Sequence, residues 1–352
     1  MRVTRRVALV EDARFLGHRG PPGHPEQPSR LHAVGEALGP LRQRLAALPA
    51  RAASDREILR IHSAGHLAAV TRAVARAPTK LDPDTYVGPD SLRVARLAAG
   101  AAVDLARQVA QGEASAGFAA IRPPGHHAEA SRAMGFCLFN NVAIAARALQ
   151  AEEGVERILI VDFDVHHGNG TQHSFWSDPS VLYFSTHQFP YYPGSGDFAE
   201  VGTGRGEGAT LNVPLPAGCG DAEYVGVFQR LLEPAARHFQ PEMILVSAGF
   251  DAHADDPLAA MRVSGAGYAA LSGILRGLAD ALCGGRLVFL LEGGYSESGL
   301  REGTAAILAA ALAPDCPPPP AQSLAPGNSV LARVVPRVVA CHAGGHLDLA
   351  GA

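Results

Sequence analysis

Arg157-Ile158-Leu159-Ile160-Val161-Asp162-Phe163-Asp164-Val165-His166 is the stretch whose reading decides the fold. A run rich in β-branched residues passes without interruption into two carboxylates and an imidazole. Such a short apolar run predicts a strand buried on both faces, as in parallel sheets. Two later runs repeat the design. Met243-Ile244-Leu245-Val246 leads through Ser247-Ala248-Gly249-Phe250 to Asp251, and Leu287-Val288-Phe289-Leu290-Leu291 leads through Glu292-Gly293-Gly294 to Tyr295. Ligands of open α/β sheets bind beyond the carboxyl ends of the strands. Three strands are therefore expected to deliver Asp164, His166, Asp251 and Tyr295 to one edge of one sheet, as a metal-assisted hydrolase requires.

Outward from these runs, strand-like and helix-like segments alternate. Val7–Val10, Phe118–Ile121 and Val181–Ser185 read as strands. Ser29–Leu48 (with Ser29 as N-cap), Ser91–Gln111, Asn141–Glu152, Ala222–Phe239, Gly267–Leu282 and Thr304–Leu312 read as helices. The alternation predicts an α/β fold, a mostly parallel central sheet with helices on both faces. Residues 190–212, rich in Gly, Tyr and Pro, are expected to be irregular and functional. The expected domain is single and spans 1–352, with a core from about 7 to 313. Pro317-Pro318-Pro319-Pro320 breaks it from a tail, 321–352, expected either to pack back or to lack order.

At 47% hydrophobic over 352 residues, the chain can bury a large core, and α/β domains of this size occur as one unit. A net charge of −4 without any basic block argues against nucleic acid as a partner. The five cysteines form no Cys-x-x-Cys pair, which excludes a thiolate zinc site and points to a reducing cytoplasm. Val7-Ala8-Leu9-Val10 is too short for a signal-peptide core, and no run approaches membrane-spanning length, so no membrane partner is expected.

Asp164 and His166 stand two residues apart, so an extended backbone turns both to one side. A carboxylate oxygen and an imidazole nitrogen suit zinc, and also iron(II). Taken alone, the Asp-x-His spacing is as well explained by a capping Asp beside a solvated His. Asp251 alters the balance, because a carboxylate at a buried strand end is costly unless paired or metal-bound. Arg122-Pro123-Pro124-Gly125-His126-His127 places adjacent histidines on a rigid turn, suited to proton transfer. Each imidazole needs a partner to fix its tautomer, and Asp162 and Asn169 are the candidates. Gly293 and Gly294 let backbone approach a ligand, which favours a site-facing Tyr295 over a core aromatic. Phe136 and the pair Tyr191-Tyr192 offer aromatics in loops, able to line a narrow slot or simply to pack beneath the loops.

Together these residues resemble the zinc-dependent histone deacetylase family, with its bacterial deacetylase-like amidohydrolases and acetylpolyamine amidohydrolases. The matching motifs are Arg122 to Ala128, Gly135 to Asn141, Asp162 to Gly170, Ser247 to Asp251 and Glu292 to Tyr295, in order, within a span from about Gly17 to Leu312. The flavour is class II, seen in Leu81-Asp82-Pro83-Asp84-Thr85-Tyr86-Val87 and His166-His167-Gly168-Asn169-Gly170-Thr171-Gln172. The resemblance implies the arginase-deacetylase fold and one catalytic Zn²⁺ on Asp164, His166 and Asp251. It implies His127 as general base, His126 as its electrostatic neighbour on Asp162, and Tyr295 in the oxyanion hole. Gly135, Phe136, Tyr192, Leu258 and Gly294 would line the acyl-lysine channel, and Arg30 an internal acetate cavity. Asp162, Asp164, His166, Ser185 and Thr186 would hold a structural K⁺, and Phe175, Asp178 and Val181 a second.

The chain departs from the family at several positions. Asn169 stands where class I members carry Asp, and Tyr192 where Phe is usual. Tyr295 is not the His of the weakly active class IIa type. Leu258 stands where polyamine-specific relatives of the eukaryotic type carry Glu, although Asp82, Asp84 and Asp90 could supply acidity at the mouth. The expected activity is removal of acetyl or longer acyl groups from lysine. The alternatives are an acetylpolyamine deacetylase, a non-catalytic acyl-lysine binding protein and an arginase-like ureohydrolase. The last needs a richer Asp/His set than this chain provides. A homo-oligomer is compatible with all of them.

Overall fold

The structure, a computed structural model, describes residues 5–314 and 330–343 together with Leu347 and Leu349. The proline run 317–320 lies outside the described residues. In chain order the strands are β1 (Val7–Val10), β2 (Leu45–Ala47), β3 (Thr79–Lys80), β4 (Tyr86–Val87), β5 (Ala116–Ala119), β6 (Ile158–Asp162), β7 (Val181–Gln188), β8 (Thr210–Leu215), β9 (Met243–Ala248) and β10 (Leu287–Leu291). The helices are α1 (Ser29–Leu38), α2 (Asp55–Ile58), α3 (Ala64–Val74), α4 (Ser91–Ala110), α5 (Asn141–Glu152), α6 (Asn169–Ser174), α7 (Asp221–Val227), α8 (Glu233–Phe239), α9 (Gly265–Leu282), α10 (Glu297–Leu312) and α11 (Leu331–Cys341).

Eight strands form one sheet in the order β2-β1-β5-β10-β9-β6-β7-β8, and every neighbouring pair is parallel. β3 and β4 form a separate antiparallel pair. Side chains alternate between two cores, as a pleated strand requires. Leu159, Val161, Phe289 and Leu291 enter one apolar cluster with α1 and α7 to α11, whereas Ile158, Ile160, Val288 and Leu290 enter another with α3, α4 and α5. Each such side chain, buried from water, stabilises the fold by roughly 1.5–3 kcal/mol. This is the α/β sheet with helices on both faces that the apolar runs predict.

Several boundaries differ from the sequence reading. The helix expected over Ser29–Leu48 ends at Leu38, gives way to a 3₁₀ turn at Gly39–Arg44, and is followed by β2. Pro40 explains the stop, since it lacks the N–H that would continue the helical ladder. Ser29 is the first helical residue rather than the cap, and Pro28 precedes it without a side-chain bond. The strand expected at Phe118–Ile121 lies two residues earlier. Within the helix expected over Ala222–Phe239, Phe228–Leu232 forms a π turn. Pro234 offers no N–H to the carbonyl of Arg230, so the helical ladder shifts locally. Helix α10 begins at Glu297, not Thr304, with the Ser296 hydroxyl accepting from Gly299 N. In the tail, α11 packs against β8 and α7.

Candidate active site

The four central neighbours β5, β10, β9 and β6 send their carboxyl ends to the same edge. The segment after β6 is held by its own carboxylates, with Asp164 N donating to Asp162 Oδ1 at 3.2 Å and His166 N to Asp164 Oδ1 at 2.9 Å. Asp251, beyond β9, accepts from Val165 N at 2.9 Å and so ties the two strand ends together. His166 Nδ1 then lies 3.1 Å from Asp164 Oδ1 and 3.2 Å from Asp251 Oδ2. One donor atom from each residue falls within 4.8 Å of the others.

These residues fit a divalent cation. Both carboxylates are fully buried, and one imidazole cannot neutralise two of them. Burial, and then the charge of Asp164, pushes Asp251 up to about 7. Burial opposes a charge on His166, but the two carboxylates override it and raise the imidazole to about 10. A dipositive ion on one nitrogen and two oxygens would relieve this imbalance, and a three-ligand set of this kind suits catalytic zinc.

Beyond β5, the Gly125-His126-His127 turn is pinned by a buried carboxylate. Glu292 Oε2 accepts from Gly125 N at 2.6 Å and from His126 N at 3.2 Å, and its Oε1 accepts from Ser247 Oγ at 3.2 Å. Burial lifts Glu292 to about 7. His126 Nδ1 lies 3.0 Å from Asp162 Oδ2, which also accepts the Tyr183 hydroxyl at 3.0 Å. Burial again opposes the charge, but Asp164 and Asp162 outweigh it and carry His126 up to about 10. His127 is driven the other way. Burial, followed by the charges of His126 and His166, holds it well below the usual histidine range. Its Nδ1 lies 2.8 Å from Asn169 Oδ1. Their surroundings thus push the two adjacent histidines in opposite directions.

Aromatic rings cover this floor. Tyr192 meets His127 edge-on at 5.2 Å and His166 at 6.1 Å between ring centroids, while Tyr191 stacks on His166 at 5.7 Å. Phe136 meets Tyr295 at 5.9 Å and His24 at 4.7 Å. The Tyr191 hydroxyl donates to the carbonyl of Leu258 and joins the loop after β7 to the loop after β9. Asp256 accepts from Tyr295 N at 2.7 Å and from Leu258 N at 3.0 Å, fixing both. Behind Tyr295, the Arg30 guanidinium carbon sits 5.1 Å from the ring centroid. Arg30 donates to Gly294 O at 2.7 Å, to Glu292 O, and to Glu26 Oε1 at 3.1 Å.

Asp162 and Ser185 are register partners on β6 and β7. Ser185 Oγ lies 2.9 Å from His187 Nδ1, whereas Thr186 Oγ1 is buried without a partner. At the second expected cation position, the Asp178 carboxylate already holds Arg147 at 2.6 Å and Ser180 N at 2.9 Å. The sequence reading gave no role to the Glu292 carboxylate, Asp256, Glu26 or Glu129. A signal existed for Glu292, since a charged residue directly after a five-residue apolar strand must lie near the buried edge. For the other three, only the folded chain supplies the neighbours.

Comparison with known proteins is consistent with this geometry. The histone deacetylase domain matches residues 24–311. Histone deacetylase 5 of Arabidopsis thaliana is 44% identical over 313 residues, which cover 83% of this chain and 47% of that protein. The chain thus spans about half the length of that relative. The histone deacetylase-like amidohydrolase of Pseudomonas aeruginosa is 40% identical over 319 residues, 84% of this chain and 83% of that one. The crystal structure of the HDA15 HD domain superposes with a TM-score of 0.87 at 38% identity, covering 96% of this chain and 94% of that one. The chain belongs to the histone deacetylase family, and its sheet is that of the arginase-deacetylase fold.

Proposed function

We propose that this chain is a zinc-dependent amidohydrolase that removes acetyl, or longer acyl, groups from lysine side chains. The observation that carries the reading is the meeting of the Asp164-His166-Asp251 donor set with His126 on Asp162 and His127 on Asn169 at one sheet edge. Zinc, when bound, would polarise the amide carbonyl and make its water acidic. His127 would take the proton from that water and return it to the departing amine, and His126 would remain charged and favour the developing anion. Tyr295, held by Asp256 through its backbone, would donate its hydroxyl to the oxyanion. Phe136 and Tyr192 would flank the acyl-lysine stem, with Gly135, Leu258 and Gly294 completing the channel, and Arg30 would face the released acid. A structural K⁺ would lie near Asp162, Ser185 and Thr186, a placement supported by the orphaned Thr186 hydroxyl.

Lysine is favoured over polyamine by Leu258, which stands where polyamine-specific relatives of the eukaryotic type carry Glu. Asp82 holds Arg132, Asp90 holds Arg93, and Asp84 accepts from the Thr85 hydroxyl and Gly135 N. Arg132 thus offsets the charge of Asp82, while Asp84 meets only neutral donors. No described helix is long and apolar enough to cross a membrane, and Cys137, Cys219, Cys283 and Cys341 are free thiols, which supports a reducing, cytoplasmic setting. The test is kcat/KM of the zinc-loaded protein on an acetyl-lysine peptide, N-acetylputrescine and N8-acetylspermidine, with a chelator control. Chelator-sensitive peptide turnover is expected. Turnover of the polyamines alone would overturn the substrate, and silence on all three with zinc bound would point to longer acyl chains or to the binding-protein reading.

A further inference from the structure

Asn169 has no charge to offer His127, yet a carboxylate stands one hydrogen bond further out. The Asn169 Nδ2 group donates to Glu129 Oε1 and, at 3.3 Å, to the backbone carbonyl of His127. Both partners can only accept, so the amide nitrogen must face them and the amide oxygen must face His127. That oxygen lies 2.8 Å from His127 Nδ1. An oxygen without a proton requires a donor, so Nδ1 carries the hydrogen and Nε2 keeps the lone pair that a base needs. The Glu129 carboxylate is the stronger of the two acceptors that set this orientation. Its Oε1 also lies 2.8 Å from Nδ1 of the half-exposed His173. The chain of contacts His127–Asn169–Glu129–His173 therefore runs from a buried base to the surface.

We propose that Glu129 is a positioning residue for His127: its carboxylate fixes the direction of the Asn169 amide and, through it, the tautomer of the base. The inference rests on the role of His127 in the proposed deacylation. It stands on donor and acceptor identity, and the turn itself is held independently of the side chain. Glu129 N donates to Arg132 O at 2.9 Å, and Glu129 O lies 2.9 Å from His62 Nδ1. Replacing the side chain thus leaves these backbone anchors in place.

The test is a mutant cycle in the zinc-loaded protein on an acetyl-lysine peptide. Glu129→Leu removes the acceptor, and kcat is expected to fall about tenfold with KM within about twofold. Glu129→Gln keeps a neutral acceptor and is expected to retain an intermediate kcat. Asn169→Asp in the native background sets two carboxylates against each other and is expected to be impaired. Asn169→Asp combined with Glu129→Leu gives His127 an acceptor that cannot turn the wrong way, and is expected to recover kcat over Glu129→Leu alone. A purely structural role for Glu129 would not be rescued this way. A second readout does not depend on activity: ¹⁵N spectra of histidine-labelled protein should show His127 protonated at Nδ1, with mixed tautomers in Glu129→Leu. Unchanged kcat and an unchanged tautomer in Glu129→Leu, or failure of the double variant to recover, overturns the proposal. Wild-type protein inactive on every substrate would instead sink the deacylase reading, with the spectra still deciding the tautomer.

Discussion

A β-carbon on residue 135 would sit 2.3 Å from Cδ2 of His127, and Gly135 has φ +56°. Glycine is thus required twice there, by backbone conformation and by contact with the base. Gly135→Ala is expected to displace His127 and lower kcat/KM about 100-fold, and a variant within threefold of wild type would refute the contact. Tyr295→Phe removes one donor from the proposed oxyanion hole, and a kcat loss of about 10²–10³-fold with little change in KM is expected from steady-state kinetics. Glu26 gives a prediction about pH. Burial, the largest single influence, would raise its pKa, but the charge and hydrogen bond of Arg122 together with the charges of His18 and Arg30 outweigh it and hold it at about 2, against an ordinary 4.5. A depressed carboxylate stabilises the fold fully above its unfolded value and loses that contribution as pH falls through the folded one. The contribution, about 3 kcal/mol, is therefore present above pH 4.5 and fades toward pH 2. Glu26→Gln should unfold at lower urea than wild type at pH 7, with the gap narrowing as the pH drops below 4.5.

Elements were legible where burial was symmetrical. β6, β9 and β10 lie in the middle of the sheet with both faces covered, so their sequences are unbroken apolar runs. β8 went unread because Thr210-Leu211-Asn212-Val213-Pro214-Leu215 mixes polar residues with a proline, which edge strands tolerate. α11, which comes more than a hundred residues later, packs against it, so no local signal announces the pairing. The start of α10 was hidden by Gly299 and Gly303, which read as breakers. A Cβ at 303 would lie 2.1 Å from the Phe250 ring, so that glycine serves packing rather than a turn. The metal donors and the histidines were visible because each ends a readable strand, whereas their carboxylate supports were not. α11 yields an element-scale prediction. Leu331 is 1% exposed and packs against Gly226 of α7. Leu331→Ala should cost about 2–5 kcal/mol in denaturant unfolding and leave kcat unchanged.

Across the whole molecule, the central strands β9 and β10 are among the last to appear in the chain, yet they stand between β5 and β6. The donor set exists only when β6 and β9 have paired, since Asp164 and His166 come from one and Asp251 from the other. Metal affinity is thus a property of the folded sheet, and zinc should stabilise it by about 2.7 kcal/mol at a hundredfold excess over Kd. Scanning calorimetry with zinc and after chelation should show the difference. Asp251→Ala should abolish the zinc-dependent rise in Tm, and persistence of that rise would place the metal elsewhere.

The Tyr191 hydroxyl on the Leu258 carbonyl has a consequence at another level. The catalytic floor hangs from strand ends, whereas at the rim side-chain hydrogen bonds, from the Tyr191 phenol to Leu258 O and from Ala260 N to Gln188 Oε1, stitch the end of β7 and the loop after it to the segment after β9. On the proposed deacylation, appetite and chemistry would be separable: changes at the stitch would alter which acyl groups enter, while the floor below stays as it was. Two chains with the same floor can diverge in diet without ever losing the capacity to digest.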